Sequence, residues 1–465
     1  MDAEKPDPFV RVVVLDFNGG TLVVDAVRAL TETQWPSDSL EIVCVDNGST
    51  DGSIESIERD FPSVSILRNG RNLGFPGNNA AMRDLDGVDY LALVNSDAFV
   101  DPNWLAPLVS RAEADRGIGA VCPKILFADR FGELRVRCQS LDDQSGIQVR
   151  LRRLVLNGTD VFSRSHVANG GGRTSDREGI HEWLFDQSVI RFPITDNVES
   201  DSRAVVEFEV EATRNCLLTI EASEAVSRAL DAGRRETIRV EVDLCPVDVL
   251  NNVGSWLDEH WIGHERGLFE ADHGQFDASI EVGTWCGAAV LLRTAHLDDV
   301  GLFEEQFFLY YEDTDLAVRG RSRGWNFITE PLSVVRHVHS ASTVEGSELA
   351  EFYIERNHLL MVARNAPLKT FVGEYVRHLL VTASYARASV LSAMKFRQLP
   401  DFLRARRRTR SFFSVVRLLP SSLRARRTLN ARRLLSETEL RRQLSAGMRE
   451  SSSGGDTGSG VESET

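Results

Sequence analysis

The sequence predicts an α/β fold of the doubly wound, parallel-sheet kind, interrupted by a β-rich insertion and followed by a helical region. Three observations predict it. Residues 9–125 alternate short apolar runs with helix-like stretches, residues 130–245 change to a period of two, and beyond about residue 352 the apolar spacing becomes helical.

Residues 10–17 (VRVVVLDF) are almost wholly apolar, as a parallel strand covered on both faces requires. A helix-like segment over 22–33 follows, then a second strand over 40–45 (LEIVCV), a turn of Asp, Asn, Gly and Ser, and a helix over about 54–60. A third strand over 64–68, a Gly/Asn-rich loop, a helix from about residue 77 and a fourth strand over 90–94 (YLALV) complete this half. In such sheets ligands lie beyond the carboxyl ends of the strands.

Residues 204–212 (AVVEFEVEA) set Val206, Phe208 and Val210 against Glu207, Glu209 and Glu211. Residues 237–243 repeat the alternation, and 147–156 and 188–194 are further strand candidates, so 130–247 reads as an inserted antiparallel sandwich. The α/β pattern resumes over 248–345. Residues 346–449 read as helical, with Val372, Val376, Leu379, Leu380, Val390, Leu391 and Met394 near one helix face. Residues 450–465, rich in Ser, Gly and acid, read as a disordered tail.

Composition excludes several classes. The 465 residues carry 53 Lys+Arg against 69 Asp+Glu, a net charge of −16 that argues against a generic polyanion or nucleic-acid binder. The charge is uneven: residues 395–449 hold 16 basic residues and three acids, whereas residues 1–394 stand at −25. Phe396, Phe402, Phe412, Phe413, Leu418 and Leu419 lie among those arginines, a composition suited to a helix on an anionic membrane surface or to docking on the acidic body. The six cysteines form no CxxC pair and read as buried free thiols of a reducing compartment. The first ten residues lack a signal-peptide pattern, and no run of about 18 uncharged apolar residues occurs. A cytoplasmic location, peripheral on the inner face of the plasma membrane, is the expectation.

Several motifs carry chemistry. Asn18 follows the first strand, and Asp46 opens the turn DNGSTDGS after the second; an acid there can accept hydrogen bonds from a base or ribose, or belong to a helix cap. Arg71, Asn72, Gly74 and Asn79 lie in RNLGFPGNN, where glycines allow close approach and the polar side chains offer donors to a diphosphate or sugar. Asn95-Ser96-Asp97 closes the fourth strand, where a carboxylate could hold Mg²⁺ or Mn²⁺. Residues 303–316 (FEEQFFLYYEDTDL) are the densest group. Aromatics flanking acids imply a partly desolvated carboxylate of raised proton affinity, the requirement for a general base. His337 and His339 lie 24 and 26 residues beyond Asp313, and either could close a metal site.

Taken in order, DNGSTDGS, NLGFPGNN, LVNSD, GTWCGAAVLLR, GLFEEQFFLYYEDTDLAVRGRSRGW and VVRHVHS resemble inverting family-2 glycosyltransferases of the GT-A fold. The likeness is greatest to the rhamnosyl- and galactofuranosyl-transferase-like branch of bacterial cell-envelope biosynthesis, over about residues 9–127 and 248–365. It implies a GT-A core whose nucleotide-sugar half spans 9–129 and whose acceptor and catalytic half spans 248–345. It further implies Asp46, Asn18, Arg71, Asn72, Gly74, Asn79 and Asn95 around a UDP- or dTDP-linked donor. Asp97 and His337 would bind Mn²⁺ or Mg²⁺. Asp313, with Glu312 beside it, would be the catalytic base, and Trp285, Cys286, Gly287 and Asp315 would line the acceptor cleft. The chain departs from the family's DxD motif at Asn95, which replaces the first acid.

The expected reaction is one displacement at the anomeric carbon onto a lipid-linked or envelope-glycan hydroxyl. Two other classes are compatible with the composition: a nucleotide-sugar or carbohydrate binder without catalysis, and a sugar-phosphate nucleotidyltransferase. The second would need a basic phosphate loop near the first strand, and DFNGGTLV has no basic residue before Arg28. The insertion is open to glycan binding, homo-oligomerisation or support of the fold.

Overall fold

The computed structural model describes residues 7–141, 149–170, 172–176, 179–194, 203–338, 347–396, 400 and 402–448. The chain divides into two compact units. Of the described residues, those within 7–126, 252–267 and 275–448 form the first, and those within 127–251 and 268–274 form the second. His339 and the acidic tail over 450–465 lie outside the described residues.

The first unit is built on a mixed sheet of β1 (Val10–Asp16), β2 (Leu40–Asp46), β3 (Ser65–Arg68), β4 (Tyr90–Asn95), β5 (Ala98–Val100), β6 (Ile118–Phe127), β7 (Ala289–Arg293) and β8 (Asn326–His337), in the order β3-β2-β1-β4-β7-β6-β8-β5. β1 runs parallel to β2 and β4, and β2 parallel to β3; β7 is antiparallel to β4 and β6, and β8 to β5. Val10, Val12 and Val14 pack with Val23, Val27 and Leu30 of α1 (Gly20–Thr31), whereas Val13 faces a second cluster containing Leu91, Leu93 and Trp285. Both faces of β1 are thus covered, which accounts for its near-continuous apolar run.

Parallel registry aligns the carboxyl ends. Asp16 of β1 stands opposite Asp46 of β2, and Leu15 opposite Asn95 of β4. α2 (Ser53–Asp60) and the short α3 (Asn79–Met82) follow the loops of this edge; α4 (Leu105–Glu113), α5 (Thr294–Val300) and α6 (Glu312–Ser322) complete the α/β part.

Four helices follow: α7 (Glu348–Asn365), α8 (Leu368–Phe396), α9 (Leu403–Arg432) and α10 (Glu437–Leu444). α9 packs on α7 through Val415 against the run Leu359, Leu360, Met361 and Val362. Its arginines divide between two faces. Arg407 pairs with Glu351 and Glu355, Arg408 with Glu355, and Arg426 and Arg433 donate to the carbonyls of Ala363 and Asn365. The basic segment is therefore partly docked on the body. Phe412 also turns inward, against Tyr375 and His378, whereas Phe402 and Phe413 are exposed. The apolar face of α8 exists as its spacing predicts, but it is exposed to solvent. Among the described residues no helix is long and apolar enough to cross a membrane.

The second unit consists of two antiparallel sheets. One has five strands in the order His166–Ala168, Ser188–Pro193, Phe131–Ser140, Cys216–Glu221, Val226–Leu230. The other runs Arg173–Asp176, Gly179–Leu184, Val149–Leu156, Arg203–Ala212, Arg235–Asp243, with Thr159–Asp160 paired to Val149–Leu156. Val206, Phe208 and Val210 enter one core with Ile190 and Phe192 of the facing sheet, while the intervening Glu207 pairs with Arg239 and Glu209 with Arg235. Inward apolar and outward charged alternation is what a sandwich requires. Trp183 donates its indole N–H to Thr174 and lies under Arg150, so it is tied into this unit's own contacts. Residues 268–274 fold with this unit, a return invisible in the periodicity. Cys44, Cys122, Cys138 and Cys216 are buried free thiols and Cys286 is half-buried, but Cys245 is exposed.

Candidate active site

The carboxyl edge of the sheet is organised by buried side chains that bind loops to one another. Asp16 accepts hydrogen bonds from Gly19 N (2.9 Å), Ser49 Oγ (3.0 Å) and Ser53 Oγ (2.6 Å). Burial raises its pKa, against the lowering effect of Ser53 and Ser49. Asn18, with φ of 55°, donates its N–H to Ser49 Oγ and accepts from Thr50 N at 2.8 Å. Asp46 Oδ1 accepts from Gly48 N and Ser49 N at 2.8 and 2.7 Å. The DNGST segment is thus an Asx-type turn whose one acid, Asp46, shapes the loop. Asn47, fully enclosed, donates to Gly74 O at 2.9 Å and accepts from Asn69 Nδ2 at 2.8 Å, tying this turn to the next loop.

In RNLGFPGNN, Arg71 is exposed, and Asn72 Oδ1 accepts from Gly74 N at 2.8 Å. Gly74 has φ of +67°, and a Cβ there would stand 1.9 Å from the carbonyl oxygen of Phe308. Glycine is required by both conformation and contact. Phe75 N donates to the same Phe308 oxygen at 2.7 Å. Asn79 does not open toward a pocket: its amide donates to Phe303 O at 2.9 Å and accepts from Phe303 N at 3.0 Å. Both its polar atoms serve to join this loop to the segment carrying the acids.

That segment is strained and clamped. Phe308, Tyr310 and Tyr311 all adopt left-handed φ values, 65°, 67° and 69°, unfavourable for bulky residues unless surroundings enforce them. The enforcement comes from α7. Asn357, fully buried, donates its amide to the carbonyls of Phe307, Leu309 and Tyr310 at 2.8, 2.7 and 2.8 Å, and Arg356 donates to those of Gln306 and Phe307. Asn357 and Arg356 lie outside every motif of the sequence; a polar pair within an otherwise apolar run, RNHLLMV, is the signal that could have found them.

Immediately after the strained turn, Asp313 sits in the first turn of α6. Its Oδ1 accepts from Thr314 N at 2.6 Å and its Oδ2 from Gly287 N at 3.1 Å. Burial raises its pKa despite these donors. Glu312 is buried with Oε2 unpartnered, and burial together with the charge of Asp313 pushes its pKa well up. Of the two, Asp313, which has the donors, bears negative charge more readily than Glu312. A Cβ at Gly287 would lie 2.8 Å from the Phe75 ring, so a larger residue there would displace that ring. The next residue, Ala288, accepts from Asn95 N at 2.9 Å, so two consecutive residues fix the Asp313 carboxylate and the end of β4.

Asp97 and His337 meet as β5 pairs with the end of β8, His337 standing opposite Ala98. His337 Nε2 and Asp97 Oδ1 are 3.1 Å apart, both largely buried. The carboxylate oxygen fits Mn²⁺ or Mg²⁺ by ligand type, whereas the imidazole nitrogen is a softer donor than Mg²⁺ prefers. Among the described residues no group of three or more His, Cys, Asp or Glu is placed to hold a metal.

The residues expected around an acceptor separate. Trp285 is buried in the core, edge-on to Phe303, with its indole N–H unpartnered. Cys286 is half-buried, and burial, Glu265 and Asp313 raise its thiol pKa. Asp315 is fully buried, accepting from Arg319, Arg364 and Asn365.

Residues 12–164 match the Glycosyl transferase family 2 model. Over 115 residues the chain is 30% identical to an uncharacterized glycosyltransferase, the MG060 homolog of Mycoplasma pneumoniae, covering 23% of this chain and 38% of that protein. Over 117 residues it is 32% identical to N-acetylglucosaminyl-diphospho-decaprenol L-rhamnosyltransferase of Mycobacterium tuberculosis, again 23% and 38%. The chain thus spans about two fifths of these relatives' length. A solved structure of a mannosyltransferase from Pyrobaculum calidifontis with GDP-Man and Mn²⁺ aligns over 92% of this chain and 89% of its own, at 15% identity and a TM-score of 0.40. The core is a GT-A-like α/β fold, and residues 12–164 are similar to family-2 glycosyltransferases.

Proposed function

We propose that the protein is a metal-dependent, inverting glycosyltransferase that moves a sugar from a UDP- or dTDP-linked donor to a hydroxyl of a lipid-linked or envelope-glycan acceptor. The observation that carries this reading is Asp313, a desolvated carboxylate held by Gly287 N–H and Thr314 N–H at the sheet edge bearing the DNGST and RNLGFPGNN loops. The rhamnosyltransferase relative, whose name describes a diphospho-decaprenol acceptor, supports the acceptor class and the rhamnosyl-/galactofuranosyl-like branch. Residues 395–449 would keep the enzyme at an anionic membrane surface where such acceptors lie.

The acceptor oxygen attacks the anomeric carbon while its proton passes to Asp313; the carbon–oxygen bond to the diphosphate breaks, and the nucleoside diphosphate leaves. One displacement inverts the anomeric centre, and no protein nucleophile takes part. Glu312, held toward its neutral form, leaves Asp313 as the acceptor of that proton. Asp97 and His337 would hold a divalent cation, which when bound supplies charge stabilisation to the leaving diphosphate. Asp46 and Asn18 would face the base and ribose, with Arg71 and Asn72 toward the diphosphate. Asn79 and Gly74 set the loop's position, and Cys286 and Gly287 border the acceptor.

The test is a panel of nucleotide sugars assayed for binding and slow hydrolysis with and without Mn²⁺. One UDP- or dTDP-sugar should release nucleoside diphosphate, faster with a polyprenyl-diphosphate-linked acceptor. Asp97→Ala should lower metal-supported donor affinity by roughly tenfold or more. Calorimetry showing unchanged affinity with Mn²⁺ would refute the assignment of Asp97. Binding without nucleoside-diphosphate release on any acceptor would favour the non-catalytic binder.

A further inference from the structure

α8 and α9 pack antiparallel. Tyr375 meets Phe412, His378 accepts from Arg408, Thr382 accepts from the same Arg408, and Arg404 lies over Tyr385. At about 100° per residue, those contacts mark one seam on each helix. Val372, Val376, Leu379, Leu380, Leu391 and Met394 of α8 form a stripe about 120° around from that seam. Phe402, Phe413, Val416 and Leu423 do the same on α9, and antiparallel packing turns both stripes to one side, away from α7. All ten are exposed, Leu380 by 66%, Met394 by 73% and Phe413 by 67%.

Arg406, Arg410, Arg417, Arg424 and Arg427 border the α9 stripe, and none has an ion-pair partner among the described residues. Their inward neighbours Arg407 and Arg408 are neutralised by Glu351 and Glu355. Between residues 376 and 436 the sequence contains one acid, Asp401. A large apolar stripe flanked by unpaired guanidinium groups needs a partner both apolar and anionic. A second copy would set five arginines against five. An anionic bilayer offers acyl chains to the stripe and phosphates to the arginines.

We infer that α8 and α9 together form the face by which this protein lies on an anionic lipid bilayer, α8 supplying most of the inserted apolar surface. The inference deepens the lipid-linked-acceptor reading by assigning the membrane contact to named residues on two helices. Full-length protein should pellet with phosphatidylglycerol-containing vesicles and not with pure phosphatidylcholine vesicles. Leu380→Glu/Met394→Glu should lower the vesicle partition coefficient by roughly tenfold or more. Arg410→Glu/Arg417→Glu should do so by a similar factor at about 0.15 M salt. Leu332→Glu, at an exposed leucine elsewhere, should leave it unchanged. Circular dichroism would confirm that these surface variants fold. Equal pelleting of wild type and the Leu380/Met394 variant overturns the inference. So does a wild-type dimer that this variant splits without any vesicle binding, which would assign the face to a second copy. Asp313→Asn should still bind vesicles, and the helix variants should keep turnover on a soluble acceptor, so the two readings fail separately.

Discussion

Asp313→Asn is expected to fold, to bind nucleotide sugar with wild-type affinity, and to lose roughly 10²–10⁴-fold in kcat, the range of a general base. Asparagine preserves the volume and can still accept one of the two N–H bonds from Gly287 and Thr314, but it cannot take a proton at neutral pH. Donor affinity is the readout that separates lost chemistry from lost structure. Near-wild-type turnover would overturn the assignment. The pH profile supplies a second check. Burial raises the Asp313 pKa above its ordinary value of about 3.9, so the acid limb of kcat should lie above that pH, with rate increasing as the carboxyl ionises. Its contribution to stability has the opposite sign. A folded-state pKa raised above the unfolded one means stability present below the unfolded value and lost as pH rises through the folded value. At neutral pH the ionised Asp313 therefore weakens the fold, and the surrounding clamp must compensate.

That clamp explains what could and could not be read from the chain. The β-loop-α order was legible because burial on both faces leaves a continuous apolar run, as in β1, and the sandwich because alternation along Arg203–Ala212 sends Val206 inward and Glu207 outward. The acids at strand ends were legible as types and spacings. Their duties were not. Asn79 reads as a donor in a polar loop, yet it is consumed by Phe303, 224 residues away. Nothing local distinguishes an amide facing solvent from one facing a distant backbone. Asn357 was hidden for the same reason: its three acceptors are main-chain carbonyls, which carry no side-chain signature. The basic segment shows the reverse case. Its total charge was plain, but only packing on α7 separates inward Arg407 and Arg408 from outward Arg410 and Arg417.

Asp315→Ala should destabilise the first unit by about 3–5 kcal/mol, the usual result of removing one partner from a buried ion pair. Motif position placed Asp315 at an acceptor cleft; the structure places it where no acceptor reaches, since it is fully buried. Arg319 donates to it at 3.0 Å, Arg364 at 2.8 Å and Asn365 at 2.7 Å, so one carboxylate joins α6 to the end of α7. Burial alone would raise its pKa, but Arg364 and Arg319 hold the carboxyl below the usual range. That shift fixes the sign: Asp315 contributes stability above its unfolded pKa, and this is lost as pH falls through the lower folded value. Without it, Arg319 and Arg364 would remain buried; Arg364 keeps Glu304, and Arg319 keeps only the carbonyls of Val300 and Leu302. Denaturant midpoints at neutral pH should fall sharply for Asp315→Ala, with the gap to wild type narrowing in acid. An acceptor-binding residue would behave otherwise, leaving the midpoint in place and raising KM for the acceptor. That outcome would return Asp315 to the cleft, whereas the expected one ties the position of Asp313, two residues earlier on α6, to an ion pair that touches no substrate.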